Sequence, residues 1–127
     1  MANYVKGARS ERELIRLFSE KGYSVIRAAG SGVAGGCPDL LAFRRGAQYA
    51  FECKAWNAER VAIDRRHYLA LRAWEENTGI TTMVAWKIDR IGWHFIYLSE
   101  LEENPGSHSL SRKRAVEMGR KIDSVLR

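Results

Sequence analysis

Two acidic residues and a lysine in the first half of the chain have types and spacing that could support chemistry. Pro38-Asp39 is followed, after twelve residues, by Glu52-Cys53-Lys54. Two carboxylates that lie close together repel each other unless a divalent cation neutralises them, and such hard oxygen ligands suit Mg²⁺, with Mn²⁺ as a substitute. An ammonium two residues from a metal ligand would offset charge as a water attacks a metal-polarised phosphate. The spacing therefore indicates a candidate site for metal-assisted phosphate chemistry.

A β-hairpin must position these side chains. We predict strands over 39–43 and 48–55, joined by a turn through 44–46. Side chains alternate along a strand, so Glu52 and Lys54 share one face while Cys53 turns to the other, into apolar packing. Asp39 opens the first strand and would converge with Glu52. The alternative is a surface hairpin with an ordinary Glu52 to Lys54 salt bridge, and the spacing alone leaves it open.

A third carboxylate lies on the inward stripe of a predicted helix over 8–21. The stripe consists of Leu14, Ile15 and Phe18, and stepping back along it leads to Glu11. An unpaired charge is costly to bury. Glu11 therefore either faces a site or lies at the frayed end of the helix beside Arg12.

The remaining patterns complete an α/β architecture, a mixed sheet of about five strands flanked by helices. Asp64 is a plausible N-cap for a helix over 64–77, and Gly79 a plausible stop. Further elements are predicted at 23–29, 81–87 and 93–98 (strands) and at 111–126 (a basic amphipathic helix), with loops at 30–36 and 104–109. We read residues 1–127 as one domain because no linker or repeat divides them.

Composition limits the possible functions. The chain has 127 residues and a net charge of +6, which favours a polyanionic partner. Residues 1–66 hold 12 of the basic and 7 of the acidic side chains. No apolar run is long enough for a membrane span, and the N-terminal segment lacks the apolar core of a signal peptide, so we expect a cytoplasmic protein without a membrane partner.

We do not expect cysteine or histidine side chains to supply the chemistry. Two cysteines, Cys37 and Cys53, form no disulfide framework, and we expect no redox role for them. The histidines His67, His94 and His108 lack partners at ligand spacing, so we predict ordinary surface or strand positions for them.

The motifs together resemble a known nuclease family. Asp39…Glu52-Cys53-Lys54 resembles the PD…ExK nuclease superfamily, with its restriction-endonuclease-like fold, and residues 4–100 are similar to the archaeal-type Holliday junction resolvases within it. The matching segments are Lys6-Gly7…Glu11-Arg12, Val25-Ile26-Arg27-Ala28-Ala29-Gly30-Ser31-Gly32, the nuclease motif, and Val84-Ala85-Trp86-Lys87…Gly92-Trp93-His94-Phe95.

The resemblance implies roles for particular residues. Glu11, Asp39 and Glu52 match metal-binding carboxylates, Lys54 matches the catalytic lysine, and Ser31 matches a loop serine that acts near the scissile phosphate. The implied DNA-binding residues are Lys6, Arg12, Arg27, Gly30, Ser31 and Gly32. The basic helix over 111–126 either grips a junction arm or is a solvated face.

The implied activity is resolution of four-way DNA junctions in recombination and repair, with no small-molecule substrate. Two strands of like polarity must be cut symmetrically, so the family's two-fold homodimer is expected. The predicted helix over 64–77 is apolar on more than one side, so one face could pack on the core and another, with Tyr68, Leu71 and Trp74, on the partner subunit. The alternative is that the whole helix is buried within one domain. The alternatives are a PD…ExK nuclease for duplex or flap DNA, which would use the same residues, and a non-catalytic DNA-binding subunit.

Overall fold

A computed structural model describes residues 2–28, 36–55 and 57–126 of the chain. The helices are α1 (Ala2–Glu20), α2 (Arg65–Thr78), α3 (Arg112–Met118) and α4 (Ile122–Val125). The strands are β1 (Ser24–Arg27), β2 (Leu40–Arg44), β3 (Ala47–Lys54), β4 (Arg60–Asp64), β5 (Thr81–Ile88), β6 (Gly92–Tyr97), β7 (Glu102–Asn104) and β8 (Ser107–Ser111). Within the described ranges, no helix is long and apolar enough to cross a membrane.

The main sheet has five strands in the order β1-β2-β3-β5-β6. Only β3 and β5 run parallel, and the other neighbours in this sheet are antiparallel. A parallel pair needs a crossover connection, which β4 and α2 supply here. The predicted mixed sheet of about five strands flanked by helices is confirmed.

Helix α1 covers one face of this sheet. Its apolar stripe is buried, with Leu14 and Phe18 fully inaccessible. The ring of Phe18 lies 4.7 Å from the ring of Phe51 on β3, measured between centroids. These contacts anchor the helix that carries Glu11 against the strand that carries Glu52.

A second sheet of three short strands, β4-β8-β7, was not predicted. It includes the segment 104–109, which is a hairpin rather than the predicted loop. Val61 and Ile63, two positions apart on β4, are both buried. The alternation of these apolar residues is the sequence signal for strand β4. With α2 and the second face of β5, this sheet encloses a separate hydrophobic cluster.

Helix α2 has the predicted ends. The Asp64 side chain accepts a hydrogen bond from the His67 backbone N–H at 2.9 Å, and Gly79 ends the helix with a left-handed φ of 73°. A side-chain cap of this kind satisfies one of the otherwise unpaired N–H groups of the first turn. The cap thereby fixes where His67 lies relative to β3.

The prediction of one helix over 111–126 is wrong. Gly119 adopts a left-handed φ of 58° and ends α3, and a separate short α4 follows. Arg120 then turns back and pairs with both carboxylate oxygens of Glu100, at 2.6 and 3.0 Å. Because it also donates to the Phe95 carbonyl, Arg120 belongs to the fold and not to a continuous basic face.

Candidate active site

Asp39 is fixed by three backbone contacts at the open end of the β2–β3 hairpin. Its N–H donates to Phe51 at 2.9 Å, and its carbonyl accepts from Ala28 at 2.8 Å. Its carboxylate oxygen Oδ2 accepts from the Cys53 N–H at 2.9 Å. Since Leu40 pairs with Phe51 in the strand register, Asp39 lies opposite Glu52, as predicted.

Glu52 is buried, with 5% of its surface exposed. Its Oε2 lies 3.8 Å from Lys54 Nζ, so the two side chains share a face as the strand alternation requires. Its Oε1 is buried and has no hydrogen-bond partner among the described residues. This is not the exposed salt bridge of the alternative hypothesis, because a surface pair would leave both carboxylate oxygens to water.

Burial raises the pKa of Glu52 from 4.5 to about 8, and the negative charge of Asp39 is the next cause. Glu11 adds a smaller effect in the same direction, whereas Lys54 opposes the shift. The site therefore concentrates carboxylates where their ionised forms repel one another. A bound cation would reverse that balance and favour the ionised forms.

Glu11 points to this site from α1. Its Oε1 accepts from Arg27 Nε at 2.7 Å, and its side chain is 18% exposed. Helix α1 begins at Ala2, so Glu11 lies well inside it and the interpretation as a frayed helix end is wrong. Arg27, predicted to bind DNA, is thereby held against a predicted metal ligand.

The donor set fits a hard divalent cation. Asp39 and Glu52 offer carboxylate oxygens, one of them buried without a protein partner, and Mg²⁺ binds proteins through one or two carboxylates together with substrate phosphate. Across the described ranges, no group of three or more His, Cys, Asp or Glu side chains is arranged to hold a metal ion. Glu11 as the third ligand stays a prediction.

The prediction of an ordinary surface or strand position for His67 is wrong, because this residue lies at the site. Its Nε2 is 3.6 Å from Glu52 Oε2. Burial, and next the positive charge of Lys54, lower the pKa of the imidazole. The one available signal was the N-cap Asp64, which places His67 in the first turn of α2. No sequence pattern showed that the connection through β4 places the first turn of α2 beside β3.

Several predicted residues have no described contact at the site. Ser31, Gly30 and Gly32 lie outside the described residues, and Lys6 lies on α1 with a side chain that is not described. Arg12 is exposed on α1. Cys53 packs against the core as predicted, and burial raises the pKa of its thiol.

The predicted dimer face needs correction. Leu71 is fully buried in the second hydrophobic cluster, so its assignment to an interface is wrong. Tyr68 stacks on His108 at 3.6 Å and donates to the Leu98 carbonyl, and Trp74 is half-buried. The outward side of α2 carries Leu69, 54% exposed, beside a cavity of about 510 Å³ lined by Leu69, Arg72, Ala73, Glu75 and Glu76.

The chain is similar to one protein family and to named relatives from that family. The model of the archaeal Holliday junction resolvase (Hjc) family matches residues 2–127. A crossover junction endodeoxyribonuclease Hjc of Methanocaldococcus jannaschii is 40% identical over 77 residues, 60% of this chain and 54% of that relative. The Archaeoglobus fulgidus protein of the same name is 32% identical over 98 residues, 76% of this chain and 72% of the relative.

Solved structures show the same fold. The structure of Archaeoglobus fulgidus Hjc, a Holliday junction resolvase from an archaeal hyperthermophile, matches with a TM-score of 0.84 and 26% identity, and covers 95% of both chains. The bacterial homing endonuclease I-Ssp6803I matches with a TM-score of 0.55 at 12% identity, over 86% of this chain and 75% of that one. The second likeness concerns the fold alone.

Proposed function

Because the chain belongs to the archaeal Holliday junction resolvase family, we propose that it resolves four-way DNA junctions by metal-dependent, paired nicks in strands of like polarity. The observation that carries this proposal is the buried Glu52, which lies opposite Asp39 and 3.8 Å from the Lys54 ammonium. A purely structural strand gains nothing from a buried carboxylate oxygen without a hydrogen bond. A hydrolase gains a ligand for a cation.

Asp39 and Glu52 would hold a divalent metal, Mg²⁺ or in its place Mn²⁺, and Glu11 would complete the set. When bound, the metal polarises the phosphate and lowers the pKa of an attacking water. Oδ2 of Asp39 is already fixed by the Cys53 N–H, so this carboxylate is oriented before any ligand arrives. Such preorganisation lowers the cost of reaching the transition state.

Lys54 would stabilise charge during hydrolysis of the phosphodiester. The oxygen of a water molecule bonds to phosphorus and this water loses a proton to solvent, while the bond from phosphorus to the leaving oxygen breaks and that oxygen takes up a proton. Negative charge grows on the phosphoryl oxygens in the transition state. The ammonium lies on the same strand face as Glu52, and only 19% of the Lys54 side chain is exposed. A charge in this poorly hydrated position acts more strongly on the phosphate than one in bulk water.

The proposed substrate is branched DNA, held mainly through its phosphates. The net charge of +6 gives a general attraction to DNA, and Arg12 lies exposed on the helix that carries Glu11. Phosphate contacts carry no sequence information. We therefore expect binding that follows the branched shape and weakens steeply with salt.

Symmetric cutting requires two copies of the site, and we propose a two-fold homodimer. The exposed Leu69 on α2 is the apolar residue that supports an interface on this helix. The proposed contact therefore lies on the side of α2 opposite to Leu71. Tyr68 and Trp74, which are half-buried in the monomer, would contribute only their exposed edges.

Asp39→Asn and Glu52→Gln test the site assignment. Each variant should lose cleavage of a junction by at least about 10²-fold, the scale expected for loss of a group that stabilises transition-state charge, while junction binding in Ca²⁺ stays within about twofold of the wild type. Glu20→Gln, which neutralises an exposed carboxylate at the end of α1, should cut normally. Wild-type cleavage by either site variant would refute the assignment.

A further inference from the structure

The end of the main sheet that holds the candidate site also holds a second polar pocket, outside the carboxylate cluster. It has a volume of about 220 Å³ and is lined by Asn57, Asp89, Arg90 and Arg112. These residues come from the segment after β3, from the β5–β6 turn and from the start of α3. Three separate segments of the chain therefore form this pocket.

Strand register fixes the position of the pocket relative to the catalytic residues. Lys54 pairs with Trp86 in the parallel β3–β5 ladder. Asn57 lies three residues beyond Lys54 and Arg90 four beyond Trp86, so both continue past the same sheet end. Strand β5 continues two residues beyond Trp86 before the turn that holds Arg90, so at about 3.3 Å per strand residue the pocket lies on the order of 10 Å from the position of Lys54 along the sheet. This is the axial rise of roughly three nucleotides in one strand of a duplex.

The two arginines are not used by the fold. Neither the Arg90 nor the Arg112 guanidinium has an ion pair or hydrogen bond with another described residue. The arginines at positions 16, 27, 60, 65, 72, 114 and 120, by contrast, each pair with a carboxylate. Asp89 lines the same pocket, which leaves it with one net positive charge.

Arg90 also has an unfavourable backbone conformation. Its φ is +68°, in the left-handed region that glycine and asparagine adopt readily. Other residues adopt this region only at a cost in free energy. The only other non-glycine residue with positive φ in the described ranges is Arg45, in the β2–β3 turn at the opposite end of the sheet. A strained turn residue at the active-site end favours a use for its side chain.

We propose that Arg90 and Arg112, with the Asn57 amide, bind a backbone phosphate of the DNA substrate at a position away from the scissile phosphate. This inference rests on the proposed function, because it assumes that DNA crosses this end of the sheet. Guanidinium groups bind phosphate through charge-assisted, often bidentate hydrogen bonds. The contact positions the strand and reads no base.

The test measures binding of a four-way junction in Ca²⁺ over a range of salt concentrations. Arg90→Asn removes the charge and suits the left-handed turn, so the variant should fold, and Arg112→Gln removes the second charge. Each should weaken binding about three- to tenfold and lower the salt slope by roughly 1. Arg45→Asn makes the same change at the opposite end of the sheet and should alter neither value.

A second arm locates the contact. Junctions carry one uncharged methylphosphonate at successive positions within five nucleotides of the cut. One position should weaken the wild type and leave Arg90→Asn unaffected, because that variant has already lost the contact.

Wild-type affinity and slope in both pocket variants would overturn the inference, as would an equal loss in Arg45→Asn. A wild-type protein that binds neither junction nor duplex would instead overturn the proposed function, and the inference with it. Junction binding and cleavage by the wild type, with unchanged pocket variants, would overturn the inference alone.

Discussion

Glu52 shows a conflict between stability and function within one side chain. The residue is 5% exposed, has one carboxylate oxygen without a hydrogen bond among the described residues, and lies beside a second acid. Burying such a group is unfavourable unless it stays protonated or gains a cation. We therefore expect the metal-free protein to lose stability when Glu52 is ionised.

The pH dependence of stability follows from the raised pKa of about 8. The folded protein holds the Glu52 proton more tightly than the unfolded chain, whose glutamate has a pKa near 4.5. The free energy of unfolding therefore falls as the pH rises from about 4.5 through about 8. Glu52→Gln removes this dependence, so in EDTA the variant should gain stability relative to the wild type as the pH rises from 5.5 to 8.5.

Denaturant unfolding in EDTA at pH 5.5 and pH 8.5 measures this effect. The stability difference between Glu52→Gln and the wild type should grow with pH, while Glu20→Gln, which changes an exposed carboxylate, should follow the wild type. A difference that is constant with pH would contradict the assigned burial of Glu52.

Residue-level prediction succeeded where strand alternation decides orientation. Glu52 and Lys54 share a face because they are two residues apart on a strand, and Asp39 meets them because the hairpin register requires it. His67 was missed because its proximity to Glu52 depends on β4 and α2, whose return path no local pattern shows. The Glu11 to Arg27 pair likewise joins two elements that only the tertiary fold brings together.

At the scale of elements, α2 lies unusually close to the segment that leads to Asp39. A Cβ added at Gly36 would lie 2.3 Å from the Cβ of Ala70 on α2. Real Cβ atoms do not approach so closely, so any side chain at position 36 must displace the helix or the segment. Glycine at position 36 therefore allows the segment that leads to Asp39 to pack closely against α2, the helix that carries His67.

Gly36→Ala should destabilise the protein by about 1–3 kcal/mol, as overpacking does in a buried contact, and should reduce junction cleavage. Ala70→Gly removes the opposing methyl group and costs about 1 kcal/mol of its own, the helix penalty of glycine. In the double variant, the cost of Gly36→Ala should largely disappear.

Ala73→Gly gives the matched control, since it carries the same helix penalty at an exposed position of α2. Denaturant unfolding of the single and double variants measures the coupling. Additive losses in the Gly36→Ala, Ala70→Gly pair would contradict the close contact.

Element prediction was successful for most of the long periodic segments and failed for the short strands of the second sheet. The caps at Asp64 and Gly79 define α2 from local chemistry alone. The strands β4, β7 and β8 have three to five residues, too few for periodicity to stand out from loops. The helix over 111–126 was wrong because the pattern continued through Gly119, where the left-handed φ and the Arg120 to Glu100 pair turn the chain.

At the scale of the whole molecule, the charge count acquires a spatial meaning. The sequence has a net charge of +6, but many arginines pair with carboxylates, and the acids of the candidate site would be neutralised by a metal. The DNA-facing end of the sheet would then be more positive than the formal count indicates. In the proposed function, this positive surface binds the DNA and the two sites of a homodimer cut it symmetrically.

Cleavage of a mobile four-way junction, labelled on each strand in turn, tests the central claim most directly. With Mg²⁺, the wild type should nick two strands of like polarity at symmetric positions, yield two nicked duplexes, and leave a linear duplex of the same sequence uncut. EDTA should abolish the reaction. Equal cleavage of the linear duplex, or no cleavage of the junction, would contradict the account.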